Sequence, residues 1–535
     1  MGFVSDERYV AVPDVLLEWQ RDAELPVVVR STARGGVYAD LPPGEYRVTL
    51  AKPGFGSKRV PVRLGDGPPH QFRLLRDGLL GYVWPKWARA GERGEFRVHA
   101  VEPYRLSLWR YGLRKEEVRL LGWFDEHGPG ATMQITPDGD YTRDGVGWNR
   151  VGYSSPHHTQ LATAPERSGL YYFHAETENG DFFSFPWVVA PAAPSAPVAV
   201  LASTNTWNAY NSFGGRSNYV NATGLPPEPT VNARQDLVRY GGGSFNEWQF
   251  PDEAYAPLSF DRPEPCNHVP RDCEVTDPIR GRSGCHLAPA EWRLLGWLEL
   301  EGFGYDYYSE SQLHDGTLDL DAYRVLILSV HPEYWSRRMY TRVKEWVFER
   351  GGRLLYLGGN GLNCEVELEG DTMRCRSQLV SGGGALSMAD PDDPSRVWES
   401  RLHRTLESEA SLLGVVCTDA GIMTAAPYRV TDASHWSYDG TGLQNGDLFG
   451  ERSLHERCHG GASGHETDKR SPHSPPGTRL LARGLNPEEG GAEIVYHEPG
   501  EGAVFSVGSI TYVASLLVDP AVSRLTRNVL NRFIG

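Results

Sequence analysis

The chain lacks any run of about 18 apolar residues, which is the length that a membrane-spanning helix needs. Its first residues also lack the basic and apolar regions of a secretory signal peptide. We therefore expect a soluble, cytoplasmic protein with no membrane partner.

Positive charge is also scarce in the sequence. The 53 lysine and arginine residues stand against 69 aspartate and glutamate residues, which gives a formal net charge of −16 at pH 7. A protein that binds nucleic acid needs a basic face to neutralise phosphate groups. The composition thus argues against a nucleic-acid partner.

Cysteine patterns that would identify a disulfide scaffold or a redox protein are missing. The seven cysteines are an odd number, and no two of them have C-x-x-C spacing. Cys266, Cys273 and Cys285 do cluster with His268 and His286. That cluster leaves three interpretations open: a structural metal, a local disulfide, or a proline-rich loop with reduced thiols.

The 535 residues are too many for a single core and predict several domains. Short alternating strand patterns separated by Pro and Gly predict a small β module over residues 1–75 and a β-sandwich over residues 76–192. The Pro- and Ala-rich stretch at 190–197 is typical of a linker. Residues 193–535 then form the third predicted domain.

Buried strands alternate with helices in this third domain. Strand patterns at 198–201, 323–328 and 353–357 are interleaved with helical patterns at 290–300 and 337–350. Such alternation predicts a three-layer, mainly parallel α/β domain with helices on both faces of its sheet. The predicted fold class is therefore α/β preceded by all-β modules.

The loop at 329–336 follows one of these strands and carries His331, Glu333 and Tyr334. Ligands of open α/β sheets bind at the carboxyl ends of the strands, and polar groups beside a buried strand cost stability unless they are used. We interpret this loop as a functional edge. A hydrogen-bonded loop cap is the alternative.

The Gly-Gly-Asn-Gly turn at 358–361 lies between a predicted strand and a predicted helix, where class I amidotransferase-like folds carry a nucleophile elbow. Here the position holds Asn360, whose amide cannot attack a carbonyl, and Cys364 is too far along the chain to replace it. The pattern G-x-S-x-G is also absent from the sequence, which disfavours a serine hydrolase.

Five segments in this order resemble the large (beta) subunit family of N,N-dimethylformamidase. The resemblance covers residues 77–535 and implies hydrolysis of a C–N bond in a small linear amide. The segments are 204–215, 329–336, the turn with Asn360, the loop 463–468, and 502–510.

The resemblance also implies a mononuclear iron held by two tyrosines and one glutamate. Tyr210 matches the first tyrosine and Glu333 matches the glutamate, whereas Phe260 stands at the second tyrosine position. Phenylalanine cannot bind iron, so we predict Tyr255 as the third ligand and Asp261 as the second choice. Phenolate and carboxylate oxygens are hard anions that suit Fe³⁺.

Three further residues match polar positions around the family's site. The resemblance implies that His331 and Glu466 handle protons and that Asn360 orients the substrate. No lysine occurs between Lys344 and Lys469, so a catalytic lysine from that part of the family has no counterpart. We expect the substrate to be a small-molecule amide. We also expect the chain to form a homo-oligomer or to bind a small partner subunit.

Two alternatives stand beside the amidase hypothesis. The first is a non-catalytic binding or scaffold protein that kept the fold and lost the metal, which Phe260 favours. The second is a zinc-dependent hydrolase, because residues 455–459 fit H-E-x-x-H and His465 follows. In that hypothesis His455, His459 and His465 bind zinc.

Overall fold

The computed structural model describes residues 1–124, 134, 136–148, 160–231, 252–277, 284–377, 388–389 and 397–535. Eight α-helices lie in these residues, and none is long and apolar enough to cross a membrane. The helices are α1 (Tyr141–Asp144), α2 (Thr204–Tyr210), α3 (Ala288–Leu300), α4 (Glu310–Asp315), α5 (Arg337–Arg350), α6 (Arg401–Thr405), α7 (Ala410–Leu413) and α8 (Pro520–Ile534). Short 3₁₀ helices span Asp252–Ala254, Pro265–Asn267, Gly284–His286, Leu320–Ala322, Trp436–Tyr438 and Val513–Ser515.

Seven strands in the first 75 residues make two small sheets. Val48 and Leu50 are fully buried while their neighbours on the strand are more exposed, so every second side chain points into a shared core. The sheets have the orders β4-β1-β7 and β3-β2-β5-β6. The strands are β1 (Gly2–Ser5), β2 (Leu16–Gln20), β3 (Val27–Arg30), β4 (Gly36–Val37), β5 (Gly44–Lys52), β6 (Gly56–Leu64) and β7 (His70–Arg73).

Eight strands between residues 80 and 190 make two further sheets with the orders β13-β10-β8 and β12-β11-β14-β15-β9. Phe96 of the first sheet shares one core with Leu108, Phe173 and Trp187 of the second. Two sheets that bury facing side chains form a sandwich. The strands are β8 (Leu80–Trp84), β9 (Trp87–Arg89), β10 (Arg93–His99), β11 (Tyr104–Tyr111), β12 (Lys115–Phe124), β13 (Leu161–Thr163), β14 (Gly169–Thr177) and β15 (Phe182–Ala190). The division of the chain into domains stays a prediction.

A nine-stranded sheet organises the rest of the chain, in the order β18-β16-β19-β21-β34-β33-β32-β28-β29. Its strands are β16 (Val198–Ala202), β18 (Asp306–Ser309), β19 (Val325–Val330), β21 (Arg353–Gly358), β28 (Tyr428–Val430), β29 (Leu448–Phe449), β32 (Arg479–Gly484), β33 (Glu493–His497) and β34 (Ala503–Ser506). Smaller pairings use β17 (Leu258–Ser259), β20 (Tyr334–Trp335), β22 (Cys364–Glu369), β23 (Thr372–Cys375), β24 (Met388–Ala389), β25 (Val397–Trp398), β26 (Val416–Thr418), β27 (Ala425–Ala426), β30 (Ser463–Gly464) and β31 (Thr467–Lys469).

Both faces of this sheet are covered. Val325 and Ile327 belong to a core cluster shared with α3 and α8, whereas Leu326 and Leu328 belong to a second cluster shared with α5. Successive strand residues point to opposite faces, so two cores on opposite sides require apolar residues at every position. The buried strand that the continuous apolar run predicted here is thereby confirmed.

The predicted mainly parallel sheet is found in one half only. Pairing is parallel from β18 through β16, β19 and β21 to β34, and antiparallel from β34 to β29. No helix lies between β32 and β33 or between β33 and β34. Short connections can join only antiparallel neighbours, whereas a parallel pair needs a long crossover. The sheet is therefore mixed, and the molecule is a mixed α/β protein with all-β units.

Candidate functional site

Loops that follow three neighbouring parallel strands meet at one edge of the large sheet. Tyr210 ends α2, which follows β16, while Glu333 follows β19 and Asn360 follows β21. The carboxyl ends of parallel strands lie on the same side of a sheet, so these side chains converge although they are far apart in sequence.

Two phenols and one carboxylate form the centre of the site. The Tyr210 hydroxyl lies 3.2 Å from Oε2 of Glu333. The Tyr219 hydroxyl lies 3.1 Å from Oε1 and 3.0 Å from Oε2 of the same carboxylate, and the two tyrosine rings are 4.3 Å apart. Three oxygen-bearing side chains therefore point at one another.

The backbone around Glu333 is strained and tied down. Val330 has φ = +55°, which a β-branched residue rarely adopts. The Glu333 N–H donates to Oγ1 of Thr206 over 3.1 Å, and that hydroxyl donates to the carbonyl of His331 over 2.7 Å. Helix α2 thus fixes the loop that presents the carboxylate, which is the kind of strained placement found at functional sites.

His331 stands between two carboxylates. Its Nε2 lies 3.3 Å from Oε2 of Glu333 and 3.1 Å from Oε2 of Glu466, while Asn360 donates from Nδ2 to Oε2 of Glu466 over 2.8 Å. The structure therefore brings together five of the site residues that the resemblance implies, namely Tyr210, His331, Glu333, Asn360 and Glu466. Only their roles in a reaction stay a prediction.

The buried charges of the site have strongly shifted pKa values. Burial alone would lower the pKa of His331, but Glu466 and Glu333 reverse this and the net shift is upward. Burial would raise the pKa of Glu466, but His331 and Asn360 bring it down to about 2. The two groups therefore shift each other's pKa in the directions that favour an ion pair.

Unlike the pKa of Glu466, the pKa values of the two phenols are shifted towards the neutral form. Burial and the nearby Glu333 carboxylate raise the pKa of both Tyr210 and Tyr219 well above the ordinary value. Burial also raises the pKa of Glu333, against the opposing effects of His331 and Arg401, whose Nη1 lies 3.3 Å from Oε1 of Glu333. These groups gain most from a cation that would stabilise their charged forms.

The three oxygen donors fit a small, hard cation. Metal–oxygen bonds of about 2.0–2.2 Å place neighbouring ligand oxygens roughly 2.8–3.6 Å apart, depending on the geometry. The distances of 3.0–3.2 Å from each tyrosine oxygen to the Glu333 carboxylate lie in that range. Two phenols and a carboxylate are moreover the donor set that a ferric ion prefers.

Of the two residues predicted as third ligand, Asp261 has other partners. Tyr255 is buried in a cluster that also contains Phe260 and Tyr334 and against which Tyr210 and Tyr219 pack, and Phe260 packs edge-on against Trp87 at 5.3 Å. Asp261 accepts hydrogen bonds from Tyr82 over 2.7 Å and from Arg97 over 2.6 Å. Tyr219 is thus the second phenol that the structure places against Glu333.

The zinc hypothesis required a helix, which is absent from residues 455–459. His455 and His465 do meet, since Nε2 of the first lies 3.2 Å from Nδ1 of the second. His459 is exposed, and Cys285 completes the group instead.

The cysteine and histidine cluster predicted near residue 270 is divided. Cys285 lies with His455 and His465, and His286 lies 3.1 Å from His331 between their Nδ1 atoms. His268 instead accepts at Nδ1 from the backbone N–H of Ser184 in the sandwich over 3.0 Å.

Sequence reasoning missed Tyr219 and Arg401, and it assigned His286 to the cysteine cluster and not to the surroundings of His331. Tyr219 follows Tyr210 by nine positions in the loop after the first α/β strand, and proximity to a matched ligand was a usable signal. No sequence signal points to Arg401. It lies in α6, and this helix is brought to the site by its packing on β22.

Comparisons with known proteins point to one family. A family model described as "N,N-dimethylformamidase beta subunit-like, C-terminal" matches residues 105–524. Proteins named N,N-dimethylformamidase beta subunit from Paracoccus aminophilus and from an Alcaligenes species are each 27% identical to the chain over 285 residues. Each match covers 46% of this chain and only 37% of the relative's length.

Proposed function

Because the chain belongs to the N,N-dimethylformamidase beta subunit-like family, we propose that it hydrolyses a C–N bond in a small linear amide. The observation that carries the proposal is the convergence of Tyr210, Tyr219 and Glu333 beside the His331–Glu466 pair. Two phenols and a carboxylate next to a proton-transferring pair suit metal-assisted attack of water on a carbonyl.

We propose iron as the cofactor, held by Tyr210, Tyr219 and Glu333. A ferric ion at these oxygens would polarise the amide carbonyl and acidify a water molecule. Tyr219 supplies the oxygen that Phe260 cannot, so the departure at residue 260 does not remove the donor set. Tyr255 and Asp261, the ligands predicted from the sequence, are not needed in this proposal.

The surrounding residues would move protons and fix groups. Glu466 is ionised and accepts a proton from the attacking water, whose oxygen bonds to the carbonyl carbon. His331, whose net pKa shift is upward, would donate a proton to the amide nitrogen as the C–N bond breaks, which would release an amine and a carboxylic acid. Asn360 holds Glu466 in place and orients the substrate.

The activity is tested by amine release from N,N-dimethylformamide and formamide, with the full chain reconstituted with ferric iron. Glu333→Gln should reduce kcat/KM to background, because it removes a central anionic donor. Glu365→Gln is the matched control, since Glu365 pairs with Arg337 at 3.0 Å and does not contact the site in any described hydrogen bond. It should retain wild-type activity.

A scaffold protein is the alternative that this assay separates. If neither amide is hydrolysed by the iron-loaded chain, with or without a partner, the amidase proposal fails and the scaffold hypothesis gains. A zinc-dependent hydrolase would instead work with zinc and depend on His459.

Partners and finer fold are also proposals. Both relatives are named as beta subunits, so we infer a further subunit or a homo-oligomer for this chain as well. Size-exclusion chromatography with light scattering distinguishes a monomer from an oligomer. The turn after β21, with Asn360 at φ = +48°, leads into strand β22 and not into the helix that the sequence predicted. A class I amidotransferase-like arrangement stays a proposal, which an experimental structure would test.

A further inference from the structure

A second group of metal-binding side chains lies behind the oxygen site. The Sγ atom of Cys285 and ring nitrogens of His455 and His465 all lie within 4.8 Å of one another. All three side chains are buried, with at most 2% of each residue exposed. They come from the turn Gly284–His286 and from the non-helical loop before β31, which are distant in sequence.

We propose that Cys285, His455 and His465 bind a zinc ion at a site separate from the tyrosine and glutamate oxygens. Nε2 of His455 and Nδ1 of His465 are 3.2 Å apart. Zn–N bonds of 2.0–2.1 Å in tetrahedral geometry place two ligand nitrogens about 3.3 Å apart. One thiolate and two imidazoles are borderline-soft ligands that favour zinc over ferric iron.

Zinc binds neutral imidazoles and a thiolate, so a zinc ion at this group would displace the thiol proton of Cys285.

The competing explanation is a hydrogen bond between two imidazoles. The backbone N–H of Cys458 donates to Nδ1 of His455 over 3.1 Å, which leaves Nε2 to carry the proton and donate to His465. Zinc at Nε2 would move that proton to Nδ1, so His455 must turn away from the N–H of Cys458. The experiment has to separate these two states.

The position of the group suggests what the ion does. The turn that carries Cys285 also carries His286, whose Nδ1 lies 3.1 Å from Nδ1 of His331. The loop that carries His465 continues into Glu466, the other partner of His331. A zinc ion would therefore fasten together the two segments that hold His331, and its ligands are positioning residues.

The test starts with the unaltered chain. Protein made in zinc-supplemented medium and dialysed against zinc-free buffer should contain about one zinc ion per chain. Replacement by Co²⁺ should give a thiolate-to-cobalt absorption in the near ultraviolet. A zinc-free protein that stays so after reconstitution, or a cobalt form without the thiolate absorption, overturns the proposal in favour of the imidazole pair.

Variants then assign the ligands. Cys285→Ser and His455→Ala should lose the zinc, whereas His459→Ala should keep it because His459 is exposed and outside the group. His403→Ala controls for zinc at a second cluster, Glu399, His403 and His473. Equal zinc content in Cys285→Ser and the wild type would contradict the proposal. If Cys285→Ser does not fold, the thiolate absorption of the cobalt-substituted wild type decides whether a cysteine binds the ion.

The iron proposal can fail independently of this one. Tyr219→Phe should keep its zinc, since Tyr219 lies in the oxygen site, and the zinc measurement requires no amidase activity.

Discussion

Replacing Asp261 tests whether this residue supports the structure or binds the metal. Its carboxylate accepts from Arg97 over 2.6 Å and from Tyr82 over 2.7 Å, and the Arg97 side chain is fully buried. Removing one partner of a buried ion pair costs about 3–5 kcal/mol, because it leaves the other charge uncompensated. Glu95 also contacts Arg97 at 2.9 Å, so we expect about 3 kcal/mol for Asp261→Asn.

Urea unfolding followed by tryptophan fluorescence measures this effect. A loss of about 3 kcal/mol should lower the unfolding midpoint by about 1 M or more at ordinary urea dependences. Glu95→Gln is the matched control and should cost less, since its carboxylate is 16% exposed. Asp261→Asn should also keep its iron. A stable variant that has lost iron would refute the structural role and restore Asp261 as a ligand.

Three further predictions address the site and its support. Asn360→Gly keeps the left-handed backbone (φ = +48°) but loses the amide that holds Glu466. The kcat for amide hydrolysis should therefore fall about 10- to 100-fold at an unchanged melting temperature. An unchanged kcat would contradict this role of Asn360. Gly359→Ala places a Cβ 2.5 Å from the carbonyl oxygen of Glu466 and should cost about 1–3 kcal/mol in a thermal melt, whereas Gly65→Ala has open space and should be neutral. Burial lowers the pKa of His497 to about 4, so the folded state excludes a proton that the unfolded state binds below pH 6.5. The stabilisation from neutral His497 is present above pH 6.5 and falls by up to about 1.4 kcal/mol per pH unit towards pH 4. In His497→Gln the melting temperature should therefore fall less steeply between pH 6.5 and pH 5. An unchanged slope would count against the lowered pKa of His497.

Elements with strong local signals were predictable from the sequence. Helix α5 begins after Ser336, whose hydroxyl accepts from Met339, and ends at Gly351 with φ = +73°, as the pattern at 337–350 predicted. The apolar run at 323–328 lies in β19 with a shift of two residues. Caps and continuous apolar runs are local properties, so they can be recognised without knowledge of tertiary contacts.

Features that depend on distant contacts were less accessible. The antiparallel half of the large sheet depends on short connections without helices, which the alternation of strands and helices did not reveal. Tyr219 was overlooked because the second tyrosine was sought near Phe260 in the sequence, whereas Tyr219 packs against the cluster that contains Phe260 from a distant part of the chain. The group of Cys285, His455 and His465 joins two loops that no sequence spacing connects.

The absorption spectrum of the iron-loaded chain tests the central claim most directly. Ferric iron bound by the phenolates of Tyr210 and Tyr219 should give a visible charge-transfer band, and Tyr219→Phe should weaken or abolish both the band and the bound iron. Tyr255→Phe is the matched control and should leave both unchanged. A colourless chain that does not take up iron, or a band that Tyr255→Phe removes and Tyr219→Phe preserves, would contradict the account.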